Sequence, residues 1–215
     1  ENLGFALRTP NQPATLRGHA NAIATFVRRA FPFLTEAAIA PPEQAPGPER
    51  LVLRVRGSHP AQNLRLRLEL AAVPSHSSLP MILNYPPLNP TVRVEPLPEI
   101  LADKVTALLF TPYLKGRDVW DLRYLTEERG LTIDWGMVAR KASDYGHSTA
   151  NPRALAPAAA EKLAREGPAA LAHEMPRFLS PAALRQYADL FPAMAAAVAR
   201  KLLQPERTRG KGLEP

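Results

Sequence analysis

Lys104 and Asp118 are two charged residues whose positions suggest chemistry. They lie in Glu95 to Leu125, EPLPEILADKVTALLFTPYLKGRDVWDLRYL, a stretch that reads as two helices joined by a turn containing Gly116. At about 100° per helical residue, with Ile100 at zero, Lys104 falls at about 40°, between Ile100 and Leu108 at about 80°. A lysine is therefore expected in the middle of the apolar stripe. Counted from Asp118, Leu122 lies at about 40° and Leu125 at about 340°, so the aspartate is expected to point toward the core as well.

A buried charge is costly unless it is paired or hydrogen-bonded, so a lysine and an aspartate on the inner faces of neighbouring helices should each meet a partner. One reading is a structural salt bridge that fixes the helix pair. The other is a site, in which Lys104 binds a phosphate and Asp118 orients or deprotonates a hydroxyl, because charges in unusual environments gather where chemistry happens. Lys115 and Arg117 add positive charge beside Asp118, and Asp121, at about 300° on the same wheel, flanks that face. These three are the candidate substrate-binding residues.

EILADK followed by KGRDVWDLRYL resembles the signature of the AbiEii/AbiGii toxin family of nucleotidyltransferase-like proteins, roughly (A)EK, a spacer and RDxxDLxxL. The opening ENLGFAL is similar to the tail of that family's earlier motif, S-E-(D/N)-L-D-F. The resemblance spans about residues 1 to 125, with the two motifs in the family's order. It implies a nucleotidyltransferase core, the toxin component of a toxin–antitoxin system, that transfers a nucleotide from an NTP, typically to RNA, with tRNA among the candidate acceptors and an antitoxin as a partner protein. By motif match, Lys104 and Asp118 take the family's functional lysine and aspartate positions.

The resemblance also implies a metal site, since the wider polymerase-β-like group holds Mg²⁺ through a Gly-Gly/Ser turn, strand aspartates and a third carboxylate. Here Asn2 and Gly4 stand where the family carries or allows aspartates. Asparagine is a weaker, neutral oxygen ligand and glycine is none. Asn2 and Glu69 are the candidate metal ligands, Glu69 as the third carboxylate. The alternative for Glu69 is a cross-strand partner for an arginine. With no Gly-Gly turn before Glu1, the expectation is either a shortened, altered chain or a degenerate metal site. Two function classes stay open: a Mg²⁺-dependent nucleotidyltransferase, and a catalytically degenerate module that binds nucleotide, RNA or an antitoxin.

The elements that must position these residues follow in order. Asn2–Leu7 is expected as a strand, residues 13–33 as a helix, and the proline-rich 41–48 as a loop. Leu51–Arg56 and Asn63–Leu70 alternate as strands, with Leu64, Leu66, Leu68 and Leu70 on one face and Arg65, Arg67 and Glu69 on the other. Residues 74–90 form a long connection with a short strand near Met81, and Thr91–Val94 is a last strand. Helices are expected over 133–143, capped by Asp134, and over 154–166, 168–175 and 181–203, before a polar tail. The fold class is thus α/β, in the α+β sense: a nucleotidyltransferase-like mixed sheet region over 1–98 and a helical region over 99–204 that carries Lys104 and Asp118, with 205–215 as the tail.

Composition bounds the rest. A chain of 215 residues, 46% hydrophobic, can bury a substantial core. The absence of cysteine excludes disulfides and thiolate zinc sites, and the five histidines show no ligand spacing. No run approaches the roughly 18 apolar residues of a membrane span, so no membrane partner and a cytoplasmic setting are expected. The net charge of +7 fits a polyanionic partner such as RNA, and an arginine- and alanine-rich composition also follows from a GC-rich genome.

Overall fold

The computed structural model describes residues 2–7, 15–40, 49–147 and 151–205. The chain divides into two compact units, Glu1–His76 and Ser77–Pro215. The expected loop over 41–48 and the tail from 206 onward lie outside the described residues.

The first unit is built on a four-stranded sheet in the order β1-β4-β3-β2. Strand β1 (Asn2–Leu7) runs parallel to β4 (Leu64–Pro74), which pairs antiparallel with β3 (Glu49–Gly57), and β3 in turn with β2 (Leu34–Ile39). The alternating leucines and valines of β3 and β4 give one apolar face. Ala37, Leu53 and Val55 form its buried centre, and Ile23 and Val27 of helix α1 (Ala20–Ala30) pack on it with Leu66. Leu64 departs from the expectation: at the hairpin end of its strand it is exposed. The helix expected over 13–33 is shorter, and β2 is an element the pattern does not announce. LTEAAI is a weak strand former on its own, and its pairing with β3 supplies what propensity lacks.

The second unit is mainly helical. It begins with a two-stranded antiparallel sheet, β5 (Leu79–Ile82) with β6 (Thr91–Val94), close to the short strands expected there. Helices α2 (Leu97–Phe110), α3 (Gly116–Arg123), α4 (Trp135–Asp144), α5 (Ala156–Glu174), α6 (Pro181–Tyr187) and α7 (Phe191–Leu203) follow. Their core runs from Leu101, Val105 and Val119 through Leu122, Val138, Leu163 and Leu171 to Ala195, Val198 and Leu202. Asp134 caps α4 as expected, its side chain accepting from the Met137 N–H.

Two helix boundaries differ from the pattern. Proline in a helix interior removes a hydrogen bond and usually breaks the helix, yet α5 continues through Pro168. Packing holds it there: Gly167 lies against Ala195 of α7, where an added Cβ would come within 2.7 Å of the Ala195 Cβ. Conversely, the expected single helix over 181–203 is two, α6 and α7, joined by a 3₁₀ turn at Ala188–Leu190, with Pro192 in the first turn of α7.

Candidate active site

Helix α2 carries charge on both borders of its buried stripe. That stripe is Leu101, Ala102, Val105, Thr106 and Leu108, so it is centred one residue further on than a wheel anchored at Ile100 suggests. Lys104 therefore sits at the edge of the stripe and not in its middle. Its side chain is 26% exposed, which suits a group that must meet both core and solvent.

The Lys104 ammonium lies 2.7 Å from Asp118 Oδ1 and 2.7 Å from Asp121 Oδ2. Asp118 is 17% exposed and Asp121 44%, so the trio grades from the helix interface outward. Burial alone would lower the lysine's pKa, but the Asp118 charge and the hydrogen bonds to Asp118 and Asp121 outweigh it and hold the ammonium above its usual value. Lys104 is consequently a permanent cation near neutrality. It can neutralise a phosphate but cannot serve as a base.

The position of Asp118 is set by the start of α3. A Cβ at Gly116 would stand 2.3 Å from the Ala170 carbonyl oxygen, so only glycine lets the helix start approach the α5 backbone this closely. The free Arg117 N–H donates to Glu174 Oε2 at 3.2 Å, and the Arg117 side chain lies 3.7 Å from the other oxygen of that carboxylate. Val119 and Leu122 bury the inner face of α3. Asp118 thus sits in a first turn, where the helix dipole favours an anion. Lys115 stands just before the helix, its ammonium 5.4 Å from the centre of the Tyr113 ring.

The candidate metal ligands belong to the first unit. Glu69 accepts a hydrogen bond from Arg50 Nε at 3.1 Å, the cross-strand partner that β-sheet register supplies. Asn2 stands opposite Arg67 in the register and Gly4 opposite Glu69; the Asn2 side chain lies outside the described residues. Among the described residues no group of three or more histidines, aspartates or glutamates could hold a metal ion. A carboxylate already engaged by arginine, beside a glycine, does not make a Mg²⁺ cage.

One ionic cluster escapes the sequence reading. On the other border of α2, Glu99 and Asp103, with Glu95 just before the helix, surround Lys141 of α4, whose ammonium is 3.1 Å from Glu95, 2.7 Å from Glu99 and 3.0 Å from Asp103. Glu99 and Lys141 are both fully buried, and Glu99 also accepts from the Ser77 N–H and hydroxyl. Desolvation raises the Asp103 pKa to about 6 against the pull of Lys141, with the Glu95 and Glu99 charges adding to the rise. A partial signal was present: Glu99 and Asp103 are carboxylates at i and i+4 of one helix, which repel one another unless a cation faces them.

No curated protein matches the chain. Among solved structures, one described as "Crystal structure of putative nucleotidyltransferase from H. pylori" aligns with a TM-score of 0.50 at 16% identity, covering 96% of this chain and 81% of that one. JHP933 from Helicobacter pylori aligns with a TM-score of 0.46 at 17% identity, over 94% of this chain and 77% of that one. The first likeness shows a nucleotidyltransferase-like fold. The model of the family described as nucleotidyl transferase AbiEii toxin, type IV toxin–antitoxin system, matches residues 5–200, which takes in both units and the Lys104, Asp118 and Asp121 trio, and the chain belongs to that family.

Proposed function

We propose that this chain transfers a nucleotide from an NTP to an RNA hydroxyl, with tRNA among the candidate acceptors, and that Lys104 and Asp118 carry the reaction. The observation behind the reading is the Lys104 ammonium shared between Asp118 and Asp121 on the borders of two packed helices. An incoming triphosphate would exchange one carboxylate partner of Lys104 for a phosphate oxygen, and the released Asp118 would then orient the acceptor hydroxyl and take its proton. The acceptor oxygen bonds to the α-phosphorus, the bond to the pyrophosphate oxygen breaks, and pyrophosphate leaves. Such catalysis rests on positioning and charge neutralisation. Lys115, Arg117 and Asp121 would form the rim that receives the substrate. Mg²⁺ belongs to the proposal as the usual counter-ion of a triphosphate, arriving with the NTP. An antitoxin counterpart follows from family membership.

The Arg50–Glu69 pair and Gly4 favour a second reading, a binding module that has kept the fold and lost the metal chemistry. Equilibrium binding of a fluorescent NTP, with and without Mg²⁺, separates the two. The transferase reading expects Mg²⁺-dependent binding that weakens roughly 10-fold or more in Lys104→Ala, the loss typical of a charge-assisted bond. Binding equal in parent and variant would remove Lys104 from the phosphate site.

A further inference from the structure

The turn between α2 and α3 is built to hold one aromatic ring in solvent. Lys162 of α5 donates to the carbonyls of Thr111 and Pro112 at 3.2 and 2.8 Å, and the Thr111 N–H closes onto Ala107. On the other side Leu114 packs into the helical core, the Lys115 carbonyl accepts from the Asp118 and Val119 N–H groups, and Gly116 is pressed against Ala170. Tyr113, between these two anchors, is 61% exposed. An exposed tyrosine on an anchored turn contributes little to the core. Its flat face is available at small entropic cost, since the backbone is already fixed and the ring has few rotamers.

A cation stands beside it. The Lys115 ammonium stands over the Tyr113 ring, and among the described residues no carboxylate pairs with it. Three residues on, in the same chain direction, Asp118 begins the proposed reaction site. An exposed planar ring with a cation 5.4 Å from its centre matches a nucleotide unit, a base to stack and a phosphate to neutralise, which is how single strands are held without sequence preference. We infer that Tyr113 and Lys115 form a nucleotide subsite beside the reaction centre, with the base on Tyr113 and its phosphate on Lys115, and that its occupant is an unpaired nucleotide of the acceptor RNA. The inference rests on the proposed transferase reading for the acceptor's identity and on this turn alone for the subsite.

The test is fluorescence anisotropy of a labelled single-stranded oligonucleotide of about eight nucleotides, a length within the range of such grooves, on the full chain without NTP or Mg²⁺. The expected result is binding weakened about tenfold in Tyr113→Ala and kept within about twofold in Tyr113→Phe, as base stacking requires. Lys115→Ala should lower the salt slope by roughly 0.7, one single-strand phosphate contact. Matching thermal melting of Tyr113→Ala and the parent would rule out unfolding as the cause. A free NTP arm separates the sources: loss for the oligonucleotide alone assigns the subsite to the acceptor, whereas loss for the NTP alone overturns that assignment. Parent-like oligonucleotide binding by Tyr113→Ala overturns the subsite itself. Because no transfer is measured, these outcomes are independent of whether the chain proves to be an enzyme.

Discussion

Gly4 occupies the register position opposite Glu69 on β1, and a Cβ placed there would meet nothing within 4 Å. A side chain can therefore leave the backbone unobstructed at a position where the family resemblance anticipates a carboxylate. Gly4→Asp should fold normally and bring a second carboxylate next to Glu69, displacing Arg50 in favour of a divalent cation. Calorimetric titration with Mn²⁺ checks this; heat in the variant and none in the parent is the expected pattern, and equal silence in both would mean that the sheet no longer supports a metal. Asp103 offers a second test at this scale. Its pKa is raised from 3.8 to about 6 in the folded chain, so the native state binds that proton more tightly than the unfolded state does. The Asp103 contribution to stability is therefore greatest in acid, falls as pH rises from about 4 to about 6, and is level above that. In chemical denaturation, Asp103→Asn should gain on the parent across that window. A parent-to-variant difference that does not change with pH would contradict the cluster's electrostatics.

Helix α2 joins its neighbours through opposite charge arrangements: one lysine to two α3 carboxylates on one border, and carboxylates to one α4 lysine on the other. Glu95 and Asp103 reach solvent, but Glu99 does not. Lys141→Met should consequently cost about 3 to 5 kcal/mol by stranding the Glu99 charge, and adding Glu99→Gln should recover part of that loss while keeping an acceptor for Ser77. A Lys141→Met protein within about 1 kcal/mol of the parent would show that the cluster is not a tether. The same helix shows how far the sequence could be read. The alternation in β3 and β4 announced their strands, and the charges at Lys104 and Asp118 announced a meeting of two helices. The wheel misplaced Lys104 because it was anchored on Ile100, which is only partly buried, while Leu101 and Val105 carry the stripe. The wheel did not place Glu99 because a helical glutamate reads as solvated until its lysine, 42 positions away, is brought to it by α4. Strand β2 and the passage of α5 through Pro168 were unreadable for a related reason, since both depend on partners distant in sequence.

At the scale of the whole molecule, the residues proposed for nucleotide transfer, Lys104, Asp118 and Asp121, all belong to the second compact unit, and the candidate metal ligands Asn2 and Glu69 to the first. No helix among the described residues is long and apolar enough to cross a membrane, and the net charge of +7 suits a polyanionic acceptor. The central claim is that Lys104 and Asp118 do chemistry and are more than an ion pair between helices. The direct measurement is transfer of radiolabel from each of the four α-labelled NTPs to total RNA in Mg²⁺, comparing the parent with Lys104→Ala and Asp118→Ala, with melting temperatures recorded alongside. Label incorporated by the parent and lost in both variants, each still folded, is the predicted result. Undiminished incorporation by either folded variant would contradict the claim, and so would no incorporation by the parent together with marked destabilisation of both variants, which would leave the trio a structural tie between α2 and α3.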